Sequence, residues 1–500
     1  MDLAALKSGT DLRGVAIAGK DPVTLTDEAA AAAAAGFVLY LRAHRAHTER
    51  KRLKIALGHD SRLSADRLTS AVLGVLKRAG CEILCCGLCS TPAMFMMTVL
   101  PETDCDGAVM ITASHHPYDK NGLKFFLKSG GVNAAQLDEI IALGSRGGSV
   151  GGAKPIVRNE DFLELYCAYL RSKFTAAGGD KPLAGLKIAV DAGNGAGGFF
   201  AERVLAPLGA DISASQFLEP DGHFPNHSPN PENAEAMQSL AARVKETGAD
   251  LGVIFDTDAD RAAFVSSDGT EINRNRLIAL VSAIVLDECP GGAIVTDSVT
   301  SDGLKTFIES HGGIHHRYKR GYRNVIDEAI RLERSGIAAP LAIETSGHAA
   351  LKENYYLDDG AYLAVRIITK TAQLKKLGLD LSSLITDLKM PVEAKEIRLT
   401  FSCADWRAYG DFVIRSLKTA CEKLKGDFVR PAPVDYEGVR VNLSAADGWF
   451  LVRMSVHDPI MVINMEADRP GGTVTLAKFL YAYLSQFTEL DASPLRVPAE

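Results

Sequence analysis

Three aspartates alternate in the segment DTDADR, at positions Asp256, Asp258 and Asp260. Carboxylates at alternate positions share one face of an extended chain, and three anions so close repel one another unless a cation neutralises them. An all-oxygen ligand set of this kind suits Mg²⁺. Alternate residues on a straight strand lie about 6.6 Å apart, too far for one octahedral ion, so the segment must curl at a strand end. The segment predicts a magnesium site in a loop; the alternative is a solvated acidic turn.

A second polar segment, TASHHPYDKNGLKFF, places Ser114 between an apolar strand and a loop. A serine hydroxyl is a weak nucleophile, but it can carry a phosphoryl group where cations surround it. His115, Lys120 and Lys124 are candidates for proton transfer or charge stabilisation. Ser114 does not lie in a GxSxG elbow, so a hydrolase triad is not indicated. Taken alone, the serine is typical of a turn; the three-aspartate loop makes a phosphoryl carrier the favoured interpretation.

Three further segments combine groups that bind sugars or phosphates. ETSGH (344–348) offers a carboxylate for sugar hydroxyls; the less favoured alternative is a helix N-terminus capped by Ser346. RMSVHD (453–458) joins a guanidinium, a hydroxyl and loop amides, which can cradle a phosphate, whereas an arginine on an edge strand is usually solvated. YKRGYR (318–323) concentrates three cations beside a glycine and can serve the same purpose.

Two motifs are interpreted as structural. AVDAGNGAGG (189–198) contains a literal GxGxxG, but the expected ribose carboxylate, Glu219, precedes a Pro/Asn-rich stretch, which disfavours nicotinamide binding and favours a tight strand–helix turn. CEILCCGLC (81–89) has no second CxxC and no spaced histidine pair, so we predict a buried strand running into a turn.

The elements that must position these groups repeat three times as strand–helix–strand–helix–strand. Predicted third strands end at about Thr112, Phe255 and Ile343, and TASHHP, DTDADR and ETSGH follow them. In the second repeat, a helix that ends at Leu208 and a strand at 211–217 are predicted between the first and third strands. Such alternation implies parallel sheets, and ligands bind beyond the carboxyl ends of their strands. From about Lys395, closely spaced strands such as GVRVNLS, WFLVRMS and MVINMEA indicate an antiparallel sheet in an α+β domain.

Composition excludes several classes of protein. The 500 residues are 47% hydrophobic and 23% charged, which is typical of a globular chain with several domains. A net charge of −7 provides no general attraction for nucleic acid or anionic lipid. The apolar stretch 29–41 is shorter than the roughly 20 residues of a membrane span, and the N-terminus does not look like a signal peptide. We therefore expect a cytoplasmic protein without a nucleic-acid or membrane partner.

With these motifs in order, the chain resembles the α-D-phosphohexomutases, the phosphoglucomutase/phosphomannomutase superfamily. The resemblance runs from SGTDLRG (8–14) and GHDSRLS (58–64) through the motifs above to VRVNLSAADGWFLVRMS. It implies an α/β protein with three similar mixed α/β domains and a C-terminal α+β domain around a central cleft. The boundaries are predicted at 1–159, 160–270, 271–388 and 389–500.

The resemblance also implies roles for individual residues. Ser114 would be the phosphoserine and, with Asp256, Asp258 and Asp260, would bind Mg²⁺. Other catalytic positions match Arg13, His115, Lys124 and Arg261. Sugar binding would fall to Glu344, Ser346, His348, Gly321 and Tyr322, and phosphate binding to Arg453, Ser455 and His457.

The chain departs from the family pattern at several of these places. His116 stands where SHNP has asparagine, and Thr10 replaces the tyrosine of YDxRG. The usual VGH is Arg320-Gly321-Tyr322, and the phosphate loop has Val456-His457-Asp458. These changes concern phosphate binding and sugar choice, and we hypothesise that His457 and Arg320 add compensating cationic contacts.

The implied reaction interconverts a hexose 1-phosphate and a hexose 6-phosphate, of glucose, mannose or both, through a 1,6-bisphosphate that also acts as activator. We expect a monomer or dimer. The alternatives are a phosphoglucosamine mutase and a non-catalytic sugar-phosphate-binding protein.

Overall fold

The computed structural model describes residues 2–45, 52–148, 150–174, 179–455 and 458–496. The chain divides into two compact units, one of residues 1–284 and 346–384 and the other of residues 285–345 and 385–500. In the part of the chain that the structure describes, every helix is too short or too polar to cross a membrane.

The first unit begins with a mixed sheet. Its strands are β1 (Lys7–Ser8), β2 (Asp11–Val15), β3 (Lys54–His59), β4 (Glu82–Leu88), β5 (Gly107–Ile111), β6 (Lys120–Leu127), β7 (Gly130–Gly131) and β8 (Ile156–Arg158). They lie in the order β1-β2-β6-β5-β3-β4-β8, with β7 on β6. β3 is parallel to β4 and β5, whereas β6 is antiparallel to β5 and β2. The loop that carries Ser114 thus connects two antiparallel neighbours.

Three helices pack against this sheet through one hydrophobic core: α1 (Asp27–His44), α2 (Ala65–Arg78) and α4 (Ala134–Ser145). A further helix, α3 (Thr91–Val99), lies outside that core and contacts β3, β5 and β6. Thr26 caps α1 by accepting the Ala29 N–H, and acidic residues fill the first turn, which favours the start of the helix. Phe37 from α1 and Phe125 from β6 pack against each other in the core, with 4.7 Å between their ring centroids. The predicted cysteine-rich strand is β4, which is buried at Ile83 and Leu84, but β4 continues through the predicted turn to Leu88, which is exposed.

The second sheet of this unit has the order β12-β11-β10-β9. Its elements are α5 (Leu163–Phe174), β9 (Ile188–Asp191), α6 (Ala234–Thr247), β10 (Leu251–Phe255), β11 (Ala262–Ser266) and β12 (Glu271–Ile272). β9 and β10 are parallel, and β11 is antiparallel to β10. The aspartate loop is therefore the connection between antiparallel strands, like the serine loop. Sequence reasoning predicted β10 but missed β6 and β11.

Two predictions for this region are wrong. The segment 211–217 is not a strand: it makes only isolated bridges from Asp211 and Gln216, because a turn closes at Ser215 and Phe217 has a φ of 52°. The glycine turn after β9 leads into 3₁₀ and π turns over 196–208 instead of a regular α-helix. The interpretation of the glycines as a tight turn is confirmed, since a Cβ on Gly195 would lie 2.6 Å from the Thr257 carbonyl oxygen.

His227 anchors the Pro/Asn-rich loop to the end of β9. Its Nε2 lies 3.0 Å from the Asp191 carboxylate and its Nδ1 lies 3.0 Å from the Ser228 carbonyl oxygen. Both neighbours are acceptors, so both ring nitrogens donate only when the imidazole is protonated. Although burial opposes protonation, Asp191 raises the pKa of His227.

α7 (Arg274–Glu288) runs from the first unit into the second. The second unit has a parallel sheet of β13 (Ala293–Thr296), β14 (Ile314–Arg317) and β15 (Leu341–Ile343), with α8 (Asp302–Ser310) and α9 (Tyr322–Arg334) between the strands. The chain then returns to the first unit as β16 (Ala349–Leu351), β17 (Leu357–Asp358) and α10 (Gly360–Lys376). β16 and β17 form an antiparallel hairpin.

The C-terminal part of the second unit is the predicted antiparallel α+β domain. Its elements are β18 (Glu393–Thr400), α11 (Trp406–Lys423), β19 (Val429–Pro431), β20 (Val439–Leu443), β21 (Gly448–Met454), β22 (Ile460–Ala467) and α12 (Gly472–Leu484). The strand order is β18-β22-β21-β20-β19, and each neighbouring pair is antiparallel. Both helices pack into one core with the sheet.

Arg440 joins this domain to α8 within the second unit. The guanidinium is buried, stacks over the Trp449 ring at 3.5 Å to the centroid and donates to Asp302 at 2.9 Å. Arg317 donates to the same Asp302 oxygen at 2.8 Å. Although burial opposes it, these arginines lower the pKa of Asp302 to about 2.

Candidate active site

Ser114 lies three residues beyond the end of β5 and is buried. Its φ of 52° is in the left-handed region, which costs a residue other than glycine about 1–3 kcal/mol and persists only where surrounding contacts impose it. Ser114 Oγ donates to Asp256 Oδ2 at 3.1 Å, and it lies 3.3 Å from His115 Nδ1 and 3.4 Å from Arg261 Nη2. A carboxylate, an imidazole and a guanidinium therefore converge on one hydroxyl.

The three aspartates curl into one cluster, as their spacing requires. Ala259 in the middle of the turn has a φ of 56°, and one carboxylate oxygen from each aspartate lies within 4.8 Å of the others. All three are buried, at 0% for Asp256 and Asp258 and 3% for Asp260, so the alternative of a solvated acidic turn is wrong.

Lys124 and Arg261 partly neutralise this cluster. Lys124 Nζ, from β6, donates to Asp260 Oδ2 at 2.6 Å and to Asp258 Oδ2 at 3.4 Å. Arg261 Nε donates to Asp256 Oδ2 at 2.9 Å. Burial raises the pKa of Asp256 well above its ordinary value, although Arg261 opposes the rise. Burial acts the same way on Asp260, but Lys124 and Arg261 outweigh it and lower the pKa of that carboxyl.

The arrangement fits a divalent cation. Three carboxylates face two cationic side chains, so negative charge is in excess in a buried place, where an unpaired charge is costly. Among the described residues, Asp258 Oδ1 and Asp260 Oδ1 are buried without a hydrogen-bond partner. Lys124 donates to the Oδ2 atoms of Asp258 and Asp260, so the two Oδ1 atoms remain available to bind a metal ion. Carboxylate oxygens are the ligands that Mg²⁺ prefers.

His115 and His116 stack beside the serine with 5.1 Å between ring centroids. Burial, assisted by Arg261, lowers the pKa of His115 to about 2, and burial, assisted by Arg13, lowers the pKa of His116 to about 4. Both rings are therefore neutral at neutral pH. Arg13 lies on β2 opposite Gly122 and donates to Asp11 at 2.8 Å, and its positive charge helps to lower the pKa of both histidines.

His348 reaches the aspartate cluster from the turn before β16. Its Nε2 lies 3.8 Å from Asp260 Oδ1, and its Nδ1 lies 2.8 Å from Ser346 Oγ. The backbone of Ala262 donates to Gly347 O at 3.4 Å, which fixes the turn beside the aspartate loop. Ser346 thus contacts the histidine and caps no helix, since the turn leads into β16.

In the second unit, Glu344 and Gly321 form a separate polar group. The Glu344 carboxylate is buried and accepts the Gly321 N–H at 2.6 Å. Gly321 has a φ of 113°, which favours glycine, and Tyr322 is the first residue of α9. The Arg320 N–H donates to Glu437 Oε2 at 3.0 Å, and its Nε lies 3.8 Å from Asp297.

Arg453 lies on β21, a central strand of the C-terminal sheet, and is 6% exposed. The alternative of a solvated edge arginine is therefore wrong. Its Nη1 is 4.0 Å from Glu437, its Nε has no hydrogen-bond partner among the described residues, and burial lowers its pKa. Ser455 follows β21, and its Oγ accepts the Asp458 N–H at 3.2 Å. His457 lies outside the described residues.

Sequence reasoning missed Arg62, Thr112 and Thr91. Thr91 Oγ1, at the start of α3, donates to Asp258 at 2.5 Å. Arg62 and Thr112 follow the neighbouring parallel strands β3 and β5, and both lie under the serine loop. Their position beyond the carboxyl ends of these strands was the available signal, because parallel strands bring such residues to one edge.

Comparisons with known proteins agree with this fold and site. Models of the phosphoglucomutase/phosphomannomutase α/β/α domains I, II and III match residues 5–145, 164–269 and 273–390. The chain therefore belongs to the phosphoglucomutase/phosphomannomutase family, whose members are isomerases. The predicted architecture of three α/β domains and a C-terminal domain is confirmed.

Individual relatives are similar over most of their length. A phosphomannomutase/phosphoglucomutase of Pseudomonas putida is 33% identical over 421 residues, 83% of this chain and 84% of that protein. A phosphoglucomutase of Neisseria gonorrhoeae is 32% identical over 92% of both chains. The crystal structure of a family protein from Burkholderia thailandensis is 26% identical, covers 99% of both chains and has a TM-score of 0.80. These relatives confirm the prediction of a phosphohexomutase.

Proposed function

We propose that the chain interconverts hexose 1-phosphate and hexose 6-phosphate, of glucose, mannose or both, with Ser114 as the phosphoryl carrier. The observation that carries this proposal is the buried Ser114 hydroxyl beside Asp256, His115 and Arg261. A nucleophile that must hold a phosphoryl group needs cations and proton acceptors within reach, and these neighbours supply both.

Phospho-Ser114 donates its phosphoryl group to the free hydroxyl of the substrate, which gives the 1,6-bisphosphate. The bisphosphate then returns its other phosphoryl group to Ser114, and free bisphosphate serves as activator by phosphorylating the resting serine. Arg261 Nη2, which faces Ser114 Oγ, is placed to contact the phosphoryl oxygens. His115 Nδ1 lies 3.3 Å from Ser114 Oγ and is placed for proton transfer there, while Lys124 and Arg13 balance the charge.

Asp256, Asp258 and Asp260, together with a phosphoryl oxygen on Ser114, would hold Mg²⁺. Two carboxylate oxygens that lack a hydrogen-bond partner among the residues described, and the excess of buried negative charge, support this assignment. When bound, Mg²⁺ supplies positive charge that stabilises the transferring phosphoryl group.

Sugar and phosphate recognition are assigned to the loops after β14, β15 and β21. The buried Glu344 carboxylate, with Ser346, His348, Gly321 and Tyr322, would bind sugar hydroxyls. Arg453 would bind the phosphate that is not transferred, and its buried Nε, which has no hydrogen-bond partner in the described part of the chain, supports this role. Ser455 and His457 would complete the phosphate site.

Several predictions from the sequence stand beside this proposal. They are the domain boundaries at 159/160, 270/271 and 388/389, the central cleft, a cytoplasmic location and a monomeric or dimeric state. The proposed small-molecule partner is the phosphosugar itself.

Phosphorus NMR of the purified protein tests the proposal. The sample contains Mg²⁺, a trace of hexose 1,6-bisphosphate, and glucose, mannose or glucosamine 1-phosphate in parallel. Ser114→Ala should abolish conversion to the 6-phosphate, whereas Ser172→Ala, an exposed serine on α5, should leave it unchanged. Conversion of glucosamine 1-phosphate alone would favour the phosphoglucosamine mutase alternative. Binding of the sugars without conversion would favour a non-catalytic binding protein.

A further inference from the structure

Arg62, which follows β3 in the GHDSR segment, is 2% exposed and lies beneath the serine loop. All five N–H donors of its guanidinium have acceptors, and four of these acceptors are backbone carbonyls of the loop 114–120. Nε donates to Asp60 Oδ2 at 3.2 Å, Nη1 to Pro117 O at 2.7 Å and Lys120 O at 2.8 Å, and Nη2 to His116 O at 2.6 Å and to Ser114 O. Lysine has three tetrahedral donors and cannot reproduce this planar pattern.

Thr112 connects the same group to the serine from the other side. Its Oγ1 donates to Asp60 Oδ2 at 2.6 Å and accepts the Ser114 N–H at 2.8 Å. Asp60 is fully buried and also accepts the Arg62 N–H at 3.0 Å. A continuous chain of hydrogen bonds therefore runs from the Arg62 side chain through Asp60 and Thr112 to the backbone of Ser114.

The loop needs such a support because its own conformation is costly. Ser114 is in the left-handed region, and the loop between β5 and β6 has no regular secondary structure to satisfy its carbonyls. The contacts of Arg62 and Thr112 hold both the carbonyl and the N–H of Ser114. Fixing both peptide groups fixes the direction of the Cα–Cβ bond that carries Oγ.

A loop of the second sheet covers this support. The Phe224 ring lies 5.5 Å from the Arg62 guanidinium carbon, and a Cβ on Gly222 would lie 2.5 Å from Ser61 O. Arg62 is thus enclosed away from the reacting groups. Its contacts reach Ser114 only through the backbone.

We propose that Arg62, Asp60 and Thr112 are positioning residues that hold the Ser114 hydroxyl toward Asp256 and Arg261 for phosphoryl transfer. They act through the loop backbone and do not touch the substrate. The inference rests on the proposed function, in which Ser114 carries the phosphoryl group.

The test compares Thr112→Val with Thr112→Ser and Arg62→Lys with Arg42→Lys. Thr112→Val keeps the volume but removes the hydroxyl, and Thr112→Ser retains it. Arg42 is a matched control because it also donates to backbone carbonyls in the same sheet domain, including Ala79 O at 2.9 Å, away from the serine loop. Steady-state kinetics are measured well below the unfolding temperature of each variant, and intact mass reports the phosphorylated fraction of Ser114.

Thr112→Val and Arg62→Lys should lower kcat about 100-fold, as expected for a misplacement of about 1 Å, and leave KM within about threefold. Thr112→Ser and Arg42→Lys should keep kcat within about threefold of the wild type. A merely structural role would shift the unfolding temperature without this loss of kcat. If Arg62→Lys fails to fold, the comparison of kcat between Thr112→Val and Thr112→Ser decides the test.

Three results would overturn the inference while the wild type remains an active mutase. They are a normal kcat in Thr112→Val, equal losses of kcat in Thr112→Val and Thr112→Ser, and a rise in KM without a loss of kcat. A wild-type chain that converts no hexose phosphate and carries no phosphoserine would overturn the proposed function and this inference together. The two failures are therefore distinguishable.

Discussion

Replacing Lys124 by methionine should tighten magnesium binding while it weakens the folded protein without metal. Lys124 Nζ lies 2.6 Å from Asp260 Oδ2 and 3.4 Å from Asp258 Oδ2, in a buried cluster of three carboxylates. Its charge stabilises the metal-free cluster, but the same charge repels a dication bound there. Removing the Lys124 charge should therefore lower the stability of the metal-free protein and raise its affinity for magnesium.

The structure sets the size of both effects. Removing one partner of a buried ion pair costs about 3–5 kcal/mol, and the metal-free protein should lose stability of that order. Loss of one positive charge beside a dication relieves repulsion of about 1–2 kcal/mol at high effective dielectric, which corresponds to roughly 5- to 30-fold tighter binding. Magnesium at 100 times its dissociation constant should then restore about 2.7 kcal/mol.

Isothermal titration calorimetry with Mg²⁺ and urea unfolding with and without EDTA measure these quantities on dephosphorylated protein. Lys128→Met is the matched control, because Lys128 follows β6 and forms an exposed pair with Asp104, worth about 0–1 kcal/mol. Equal or weaker magnesium affinity in Lys124→Met, with the control unchanged, would refute the assignment of the aspartate cluster as the metal site.

Three further changes have defined outcomes. His227→Gln should destabilise the protein by about 1.5–3 kcal/mol at pH 6, since a charged donor to Asp191 is lost. Because the pKa of His227 is raised in the folded protein, the difference in free energy of unfolding between wild type and variant has its full size below the ordinary pKa of histidine. Urea unfolding should show this difference shrink as pH rises from 6 to 8.5. Asp302→Asn should destabilise the protein at pH 7, and the difference should fade as pH falls from about 4 toward 2, because Arg440 contributes to the lowered pKa of Asp302. Arg453→Lys should raise KM for the phosphosugar about tenfold or more with kcat nearly unchanged, since the planar donor set is lost.

Each of these predictions has a contrary result. A stability difference for His227→Gln that grows with pH would contradict a protonated, paired histidine. A loss in Asp302→Asn that persists at pH 2 would show that charge is not its cause. Arg398→Lys, on the exposed face of β18, is the control for Arg453→Lys, and an equal rise in KM for both would contradict a phosphate site at Arg453.

Local patterns predicted the elements that carry the chemistry. Continuous apolar runs identified β10 and β15, and the polar residues that follow β5 and β10 lie where parallel strands end. The aspartate loop was predicted to curl because alternate residues on a straight strand lie too far apart to bind one metal ion. These features depend on a few neighbouring residues, so the sequence alone contains the information.

Other features depend on residues far apart in the chain. β6 was missed because KNGLKFFL reads as a loop beside Ser114, and only its pairing with β2 and β5 makes it a central strand. Segment 211–217 has strand-like composition, but the turn at Ser215 and the left-handed Phe217 prevent a ladder. The contacts of Arg62 span more than 50 residues, and no short motif encodes them.

A single-turnover transfer from Ser114 tests the central claim most directly. Phosphorylated protein is mixed with a stoichiometric amount of glucose 1-phosphate and Mg²⁺, quenched at short times, and analysed by intact mass and phosphorus NMR. The account predicts that Ser114 loses its phosphoryl group as hexose 1,6-bisphosphate appears, and that the 6-phosphate follows. Formation of the 6-phosphate without any change at Ser114, or in the Ser114→Ala variant, would contradict it.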